Sequence, residues 1–252
     1  MSTTTVVART CRAEVGRVWT LRSSFVLAAV TAAAVVAFGG LVGSTSDPDQ
    51  VSPGSTAWDG GQMSGMFALF GILALSVVTA TADYGTGGII PTLQWTPRRG
   101  VLLCARTGVI VATGTALGLL SGAAASLVVW LFLPGLGLPA GDGAAVMGGL
   151  AYVHATGALL AVGLGLLLRS TAGGLVSVIA LVLVLPMLLA QLGYTWSTTV
   201  AAHMPGTGAL FLIFGEGPSD DMTAASARLT LAIWATVAIS AGGWRLLRTD
   251  AT

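Results

Sequence analysis

Long apolar runs, separated by short polar segments, dominate the pattern of hydrophobic and polar positions along the chain. A helix of about 20 apolar residues crosses the hydrocarbon core of a bilayer. Six runs are close to or above that length. The pattern therefore predicts an all-α membrane protein, a single transmembrane domain over residues 1–252 with six transmembrane helices. The predicted spans cover residues 25–42, 62–82, 107–133, 144–168, 174–192 and 229–247.

A weaker pattern precedes the first span. If residues 6–22 form a helix, apolar and basic side chains fall on opposite faces, as in helices that lie in the membrane interface. The apolar face carries Val7, Cys11, Val15 and Val18, with Trp19 and Leu21 at its edges, and the opposite face carries Arg9, Arg12 and Thr20. The run Phe25–Val42 is longer than the roughly 7–15 apolar residues of a signal peptide. We therefore predict an amphipathic interfacial helix before the first span.

The composition supports the membrane assignment. Hydrophobic residues make up 54% of the 252 residues and charged residues 8%, with a mean hydropathy of +0.87. Soluble domains carry roughly 25% charged residues. All eleven basic residues are arginine, and with 35 glycines this favours a bacterial source rich in G and C. We expect the chain in a bacterial plasma membrane.

The distribution of arginine predicts the orientation. If both termini are cytoplasmic, ten of the eleven arginines lie in cytoplasmic segments and only Arg228 lies outside. Such an excess is the usual sign of the cytoplasmic side. The ten are Arg9, Arg12, Arg17, Arg22, Arg98, Arg99, Arg106, Arg169, Arg245 and Arg248.

The outer segment 193–227, between spans five and six, is too apolar for an ordinary loop. Its run Ala209–Phe214 is too short to span, so we expect it to enter the outer leaflet and return. The Pro205-Gly206 pair is expected to break one short helix before a second one starts at Ala209. His203, Phe211 and Phe214 are the predicted outer-gate residues. The alternative is a surface loop packed on neighbouring helices.

The sequence contains few groups for chemistry. There is no H-E-x-x-H and no G-x-S-x-G, and a chain without lysine has no phosphate-binding G-x-x-x-x-G-K-[ST] loop. We expect no cofactor and no metal, and Cys11 and Cys104 are expected to be free thiols. His154, midway along the fourth span, either packs through a hydrogen bond or lines a path. With so few ionisable groups in the spans, an external energy source is favoured over ion coupling.

The polar interruption at residues 83–100 has the most distinctive sequence. It opens with Asp83-Tyr84-x-x-Gly, continues with a short amphipathic middle and closes with Thr-Pro-Arg-Arg. This pattern resembles the first cytoplasmic loop of type-2 ATP-binding-cassette (ABC) exporter permeases. In that family the loop carries a coupling helix that sits in a groove of the partner ATPase. The family often has Glu where this chain has Asp83 and Lys near Arg106, and Pro91 within the coupling segment is a departure.

The resemblance implies the membrane subunit of an ABC exporter, with an ATPase on a separate chain. Its expected partners are two ABC ATPase subunits, a second permease copy or a paralogue, and the lipid bilayer, with no nucleic acid. The substrate is expected to be amphipathic: a drug, natural product, lipid or peptide. The implied ATPase-coupling residues are Asp83, Tyr84, Ile89, Ile90, Leu93, Trp95, Arg98 and Arg99. Two alternatives stay open, namely an ion-coupled secondary transporter and a membrane scaffold that transports nothing.

Overall fold

The computed structural model describes residues 3–47, 52–85, 87–88 and 98–248, and within these ranges it contains helices and turns but no strand. We number the helices α1 to α9. The first five are α1 (Thr3–Thr20), α2 (Arg22–Thr45), α3 (Ala57–Gly85), α4 (Arg99–Phe132) and α5 (Ala140–Leu168). The others are α6 (Thr171–Gln191), α7 (Thr195–Ala202), α8 (Pro205–Phe214) and α9 (Ala224–Arg248).

Six of these helices, α2 to α6 and α9, are long and apolar enough to cross a membrane. The predicted six-span, all-α fold is confirmed at this level. The interior consists mainly of α3 and α5, in which 61% and 67% of the most apolar window is buried. By contrast, only 17% of that window is buried in α2 and 22% in α6. These two helices therefore offer most of their surface to lipid or to other chains.

All six spans begin earlier than the apolar runs predicted, four of them by more than three residues. Helix α3 begins at Ala57 instead of residue 62, because the Asp59 carboxylate accepts a hydrogen bond from the Thr56 amide (2.9 Å) and caps the first turn. Helix α5 begins at Ala140 instead of residue 144, directly after Pro139. The expected loop 134–143 is thus reduced to a short 3₁₀ turn and a few residues.

Helix α4 begins at Arg99 instead of residue 107. Arg106 therefore lies about two turns inside the helix, and not beyond its end as the sequence pattern indicated. The reason is that the Arg106 side chain meets acidic partners from two other helices. With its charge compensated, the helix continues through this position.

The arginine-bearing ends of the helices meet at one end of the bundle. The Arg99 guanidinium at the start of α4 donates to the carbonyl oxygen of Leu246 near the end of α9 (3.4 Å). The Arg169 guanidinium after α5 donates to the carbonyl oxygen of Arg245 (3.3 Å). We call this the arginine end. Helix α1 and the last turn of α9 both belong to it.

Helix α6 is interrupted near its middle. It runs as an α-helix over Thr171–Ile179, as a π-helical turn over Ala180–Val184 and again as an α-helix over Leu185–Gln191. Pro186 lacks an N–H group, so the carbonyl oxygen of Val182 receives no α-helical hydrogen bond from it. That carbonyl instead points at Gly206 at the start of α8.

Helices α7 and α8 form a hairpin between α6 and α9. Its turn lies at His203 and Met204, so two short helices meet next to Pro205, as expected. The second helix, α8, begins at Pro205 itself and not at Ala209, which corrects the predicted start. A proline at the first helical position loses no hydrogen bond, which is why Pro205 starts the helix. The Trp234 indole N–H donates to the carbonyl oxygen of His203 (2.9 Å).

Candidate functional site

Four charged side chains from three helices meet at the arginine end. Glu14 and Arg17 come from α1, Asp83 from the last turn of α3 and Arg106 from α4. Arg106 Nη2 lies 3.1 Å from Glu14 Oε1 and 2.6 Å from Asp83 Oδ2. Arg17 Nη1 also contacts Asp83 Oδ2, and Arg17 Nε lies 3.7 Å from Glu14 Oε2. We call these four residues the ionic cluster.

The cluster is largely buried and balances in charge. Arg106 is 1% exposed and Glu14 is 5% exposed. Two carboxylates face two guanidinium groups, so the cluster has no formal net charge. Such a buried network is stable only while it is complete, because a charge left without its partner costs several kcal/mol in a low-dielectric environment. The three helices are therefore held in a defined arrangement at this point.

The dipole of α3 alone would not favour Asp83 at its position, because a carboxylate in the last turn lies at the negative end of the helix. Arg106 lies about two turns into α4, at the junction of these two helices. Asp83 and Arg106 compensate each other across that junction. The ionic pairing therefore fixes both side chains, and it joins the two helices that flank the segment 86–98.

Arg17 connects the cluster to the backbone of α3 as well. Its Nη2 donates to the carbonyl oxygen of Thr79, one turn before Asp83. Burial lowers the pKa of the Arg17 guanidinium from its ordinary value, and the neighbouring Arg106 lowers it further, while Glu14 and Asp83 act in the opposite direction. Free arginine titrates so far above neutrality that the side chain keeps its charge.

Tyr84 occupies the position next to the cluster. The Arg169 guanidinium carbon lies 5.8 Å from the centre of the Tyr84 ring, a cation–π distance. Arg169 reaches it from a left-handed backbone conformation (φ 52°) just after α5. The Tyr84 hydroxyl group is buried and has no hydrogen-bond partner among the residues that the structure describes. The end of α3 thus contacts α5 in addition to α1 and α4.

The structure places half of the predicted coupling residues. Asp83 and Tyr84 lie in the last turn of α3, Arg99 begins α4 and Arg98 precedes it. The other coupling residues lie outside the described residues: Ile89, Ile90, Leu93 and Trp95. Their role in ATPase coupling stays a prediction, as do the limits of a helix around Pro91.

His154 is packed inside the bundle. Its side chain is 0% exposed, and its Nε2 lies 3.2 Å from the carbonyl oxygen of Gly65. Its Nδ1 has no hydrogen-bond partner within the described ranges and faces Gly118, where an added methyl group would overlap the ring. This environment is that of a packing residue. A path-lining role stays a prediction without a contact that supports it.

The predicted outer-gate residues are separated along the hairpin. His203 lies in the turn and is exposed, with its Nδ1 2.9 Å from the carbonyl oxygen of Thr199. Phe211 is half-buried beside Gly217, whereas Phe214 is 41% exposed. Phe214 lines a groove of about 410 Å³ between α6 and α8, which we call the outer groove. The two rings do not form a common plug within one chain.

Sequence reasoning missed Glu14 and the role of Arg17. Of the predicted apolar face of the first helix, Val7 and Val15 are exposed and Val18 is buried, on the side of the helix where Glu14 and Arg17 meet the bundle. The spacing of Glu14, Arg17 and Val18 is that of one helical face. An acidic residue within an otherwise basic helix was the available signal.

Comparisons of the chain with protein-family models and with curated proteins found no match. Its function is therefore inferred from the residues and contacts described above.

Proposed function

We propose that this chain is the membrane subunit of an ABC exporter, driven by ATPase subunits on separate chains. In this proposal the arginine end faces the cytoplasm of a bacterial cell, and the segment 83–100 docks on the ATPase. Closure of the ATPases on ATP displaces this segment and shifts the spans between inward-open and outward-open arrangements. The substrate leaves through the opposite end of the bundle.

The ionic cluster is the observation that carries the proposal. It fixes the end of α3 and the start of α4, the two helices that flank the proposed docking segment, and attaches α1 to both. An ordinary loop between two spans needs no such buried charges, which are costly to assemble. A displacement of the docking segment would instead be transmitted to three helices together. We infer that the cluster couples the segment to the bundle.

The cytoplasmic orientation of the arginine end is supported by the positive-inside bias. Ten of the eleven arginines fall on segments of that end, and contacts from α4 to α9 and from α5 to α9 bring them together. The opposite end carries Asp59, Asp142, Glu216 and Asp220.

The depth of the α7–α8 hairpin supports a re-entrant segment. Gly206 packs against Val182 in the middle of α6, and His203 is hydrogen-bonded to Trp234, which lies ten residues into α9. Ten residues of helix correspond to about 15 Å, half of the hydrocarbon thickness. The hairpin therefore turns near the middle of the bundle. Backbone at such a depth must be shielded by protein, and most of the first half of α8 is buried.

A second copy or a paralogue is the proposed partner in the membrane. His203 is exposed on the surface of the single chain although its carbonyl group lies level with the middle of α9. A polar side chain facing hydrocarbon at that depth is unfavourable. A permease partner against this surface would remove the imidazole from lipid.

The test is affinity purification of the tagged chain from its own membranes in mild detergent. We expect an ABC ATPase to copurify with the wild-type chain and to be lost from Leu93→Asp and Trp95→Ala, while both variants still insert into the membrane. Apolar residues in a segment expected to face the cytoplasm favour a partner surface, and aromatic residues often contribute most to binding. Arg12→Gln, on the exposed face of α1, is the matched control.

Three results would contradict the proposal. Wild-type chain without any ATPase would favour a scaffold or an ion-coupled transporter. Activity that survives ATP depletion but is abolished by an uncoupler would favour ion coupling. Normal ATPase capture by both loop variants would exclude the segment 83–100 as the docking element.

A further inference from the structure

The outer groove has the shape and polarity of an amphiphile site. It has a volume of about 410 Å³, within the range of small-molecule sites. Its walls come from the second half of α6 and from α8, and include Val182, Met187 and Phe214. Thr207, 4% exposed, is a polar side chain of the wall, and Glu216 lies at the end of the groove remote from the arginine end.

The groove is oriented along the membrane normal. Val182 lies near the middle of α6 and Ala190 near its end, so the lined part of α6 covers eight residues, or about 12 Å. Glu216 follows α8 after the capping Gly215 and lies close to the outer end of the bundle. An occupant would therefore have its polar group at Glu216 and its apolar body towards Val182, as an amphiphile has in one leaflet of a bilayer.

The charges at the mouth of the groove, the end at Glu216, favour a cation. Glu216 is exposed, and no described arginine lies within ion-pair distance of it. Among the described residues that line the groove, none is basic. Asp220 and Asp221 follow Glu216 four and five residues later, so three carboxylates and one guanidinium group, Arg228, lie in the segment 216–228 and the net charge near the groove is negative. An anionic headgroup would be repelled here.

The local backbone also differs from an ordinary lipid-facing helix. Two lining residues, Val182 and Leu183, belong to the π-helical turn of α6, and Pro186 follows. Turns of this kind occur frequently at functional sites. Gly206 packs on the same turn, so the wall formed by α6 is fixed against α8.

We propose that the outer groove binds an amphiphilic cation, with the positive group paired to Glu216 and the apolar body between α6 and α8. Binding depends only on this chain and does not need the ATPase. Export of the bound cation would rest on the function proposed above.

The probe is tetraphenylphosphonium, a permanent apolar cation, measured by equilibrium dialysis with the full-length chain in phosphatidylcholine nanodiscs. Empty discs give the background. We expect saturable binding that Glu216→Gln weakens about fivefold, the effect of one exposed ion pair of about 1 kcal/mol. Ala190→Phe fills the mouth and should weaken binding more than tenfold. Both positions are exposed, so neither substitution disturbs the core.

Asp220→Asn is the matched control, because it removes the same charge from a residue that does not line the groove. It should change affinity less than twofold. Tetraphenylborate, the same shape with the opposite charge, should show no saturable binding above the background.

Several outcomes would overturn the proposal. These are no saturable binding to the wild-type chain, equal effects of Glu216→Gln and Asp220→Asn, or equal binding of tetraphenylborate. If Ala190→Phe alters the ratio of monomer to dimer and leaves cation binding unchanged, a second copy occupies the groove. If no ATPase copurifies but the expected cation binding is observed, the proposed exporter function is wrong and the cation site in the outer groove is still supported.

Discussion

Removal of Arg106 should destabilise the junction of α1, α3 and α4, because its buried ion pairs with Glu14 and Asp83 are lost. Arg106→Gln leaves Glu14 and Asp83 buried with only Arg17 between them. Breaking a buried ion pair by removing one partner costs about 3–5 kcal/mol, because the remaining charge loses its compensation. We expect the free energy of unfolding to fall by about that amount. Glu14→Gln should produce a loss of similar size.

The pairwise part of this loss can be separated by a double-mutant cycle. Residues within one network couple by about 0.5–3 kcal/mol, so the double variant Glu14→Gln/Arg106→Gln should be about 2 kcal/mol more stable than the sum of the single effects predicts. Unfolding is followed by tryptophan fluorescence during titration with dodecyl sulfate in mixed micelles. Arg12→Gln, on the exposed side of α1, should change stability by less than about 0.5 kcal/mol.

The reasoning would be refuted by either of two results. Additive single effects, within about 0.5 kcal/mol, would show that Glu14 and Arg106 do not interact energetically. An Arg106→Gln variant as stable as Arg12→Gln would show that the ionic cluster does not stabilise the contacts among α1, α3 and α4.

Close packing and orientation give three further predictions. Gly206→Ala forces a methyl group onto the backbone of α6 and should cost about 3 kcal/mol, measured by the same titration. Gly118→Ala pushes a methyl group into the imidazole of His154 and should lower the free energy of unfolding by about 1–3 kcal/mol. The loss should be smaller in a His154→Ala background, where the ring is absent. Equal losses in both backgrounds would contradict this packing. Reporters fused at Asp142 and Thr252 should signal the outside and the inside of the cell, and the reverse pattern would refute the proposed orientation.

The number of spans could be predicted from the sequence because apolar length alone determines it. The residues at which the helices begin and end were harder to predict. The hydrophobic pattern places Arg99 and Arg106 on the polar side of a boundary, yet α4 includes both. A buried guanidinium depends on acidic partners from other helices, and hydrophobic periodicity carries no information about such partners.

The ionic cluster illustrates the same difficulty for the candidate site. Asp83 could be chosen from its loop, but Glu14 contacts α4 across 92 positions of the chain. On α1, Glu14 and Arg17 pack beside Val18 of the predicted apolar face, and a pattern of apolar positions does not select charged residues as packing residues. The groove beside the π-helical turn of α6 also depends on contacts between helices, such as Val182 against Gly206.

ATP hydrolysis by the purified complex tests the central claim most directly. The account predicts that the tagged chain, eluted from its own membranes, brings an ATPase activity that Leu93→Asp removes from the eluate. The same chain produced alone in a foreign host should hydrolyse no ATP, since its sequence has no lysine and hence no phosphate-binding loop of the ABC type. An eluate without hydrolysis, or hydrolysis by the chain alone, would contradict the assignment as the membrane subunit of an ABC exporter.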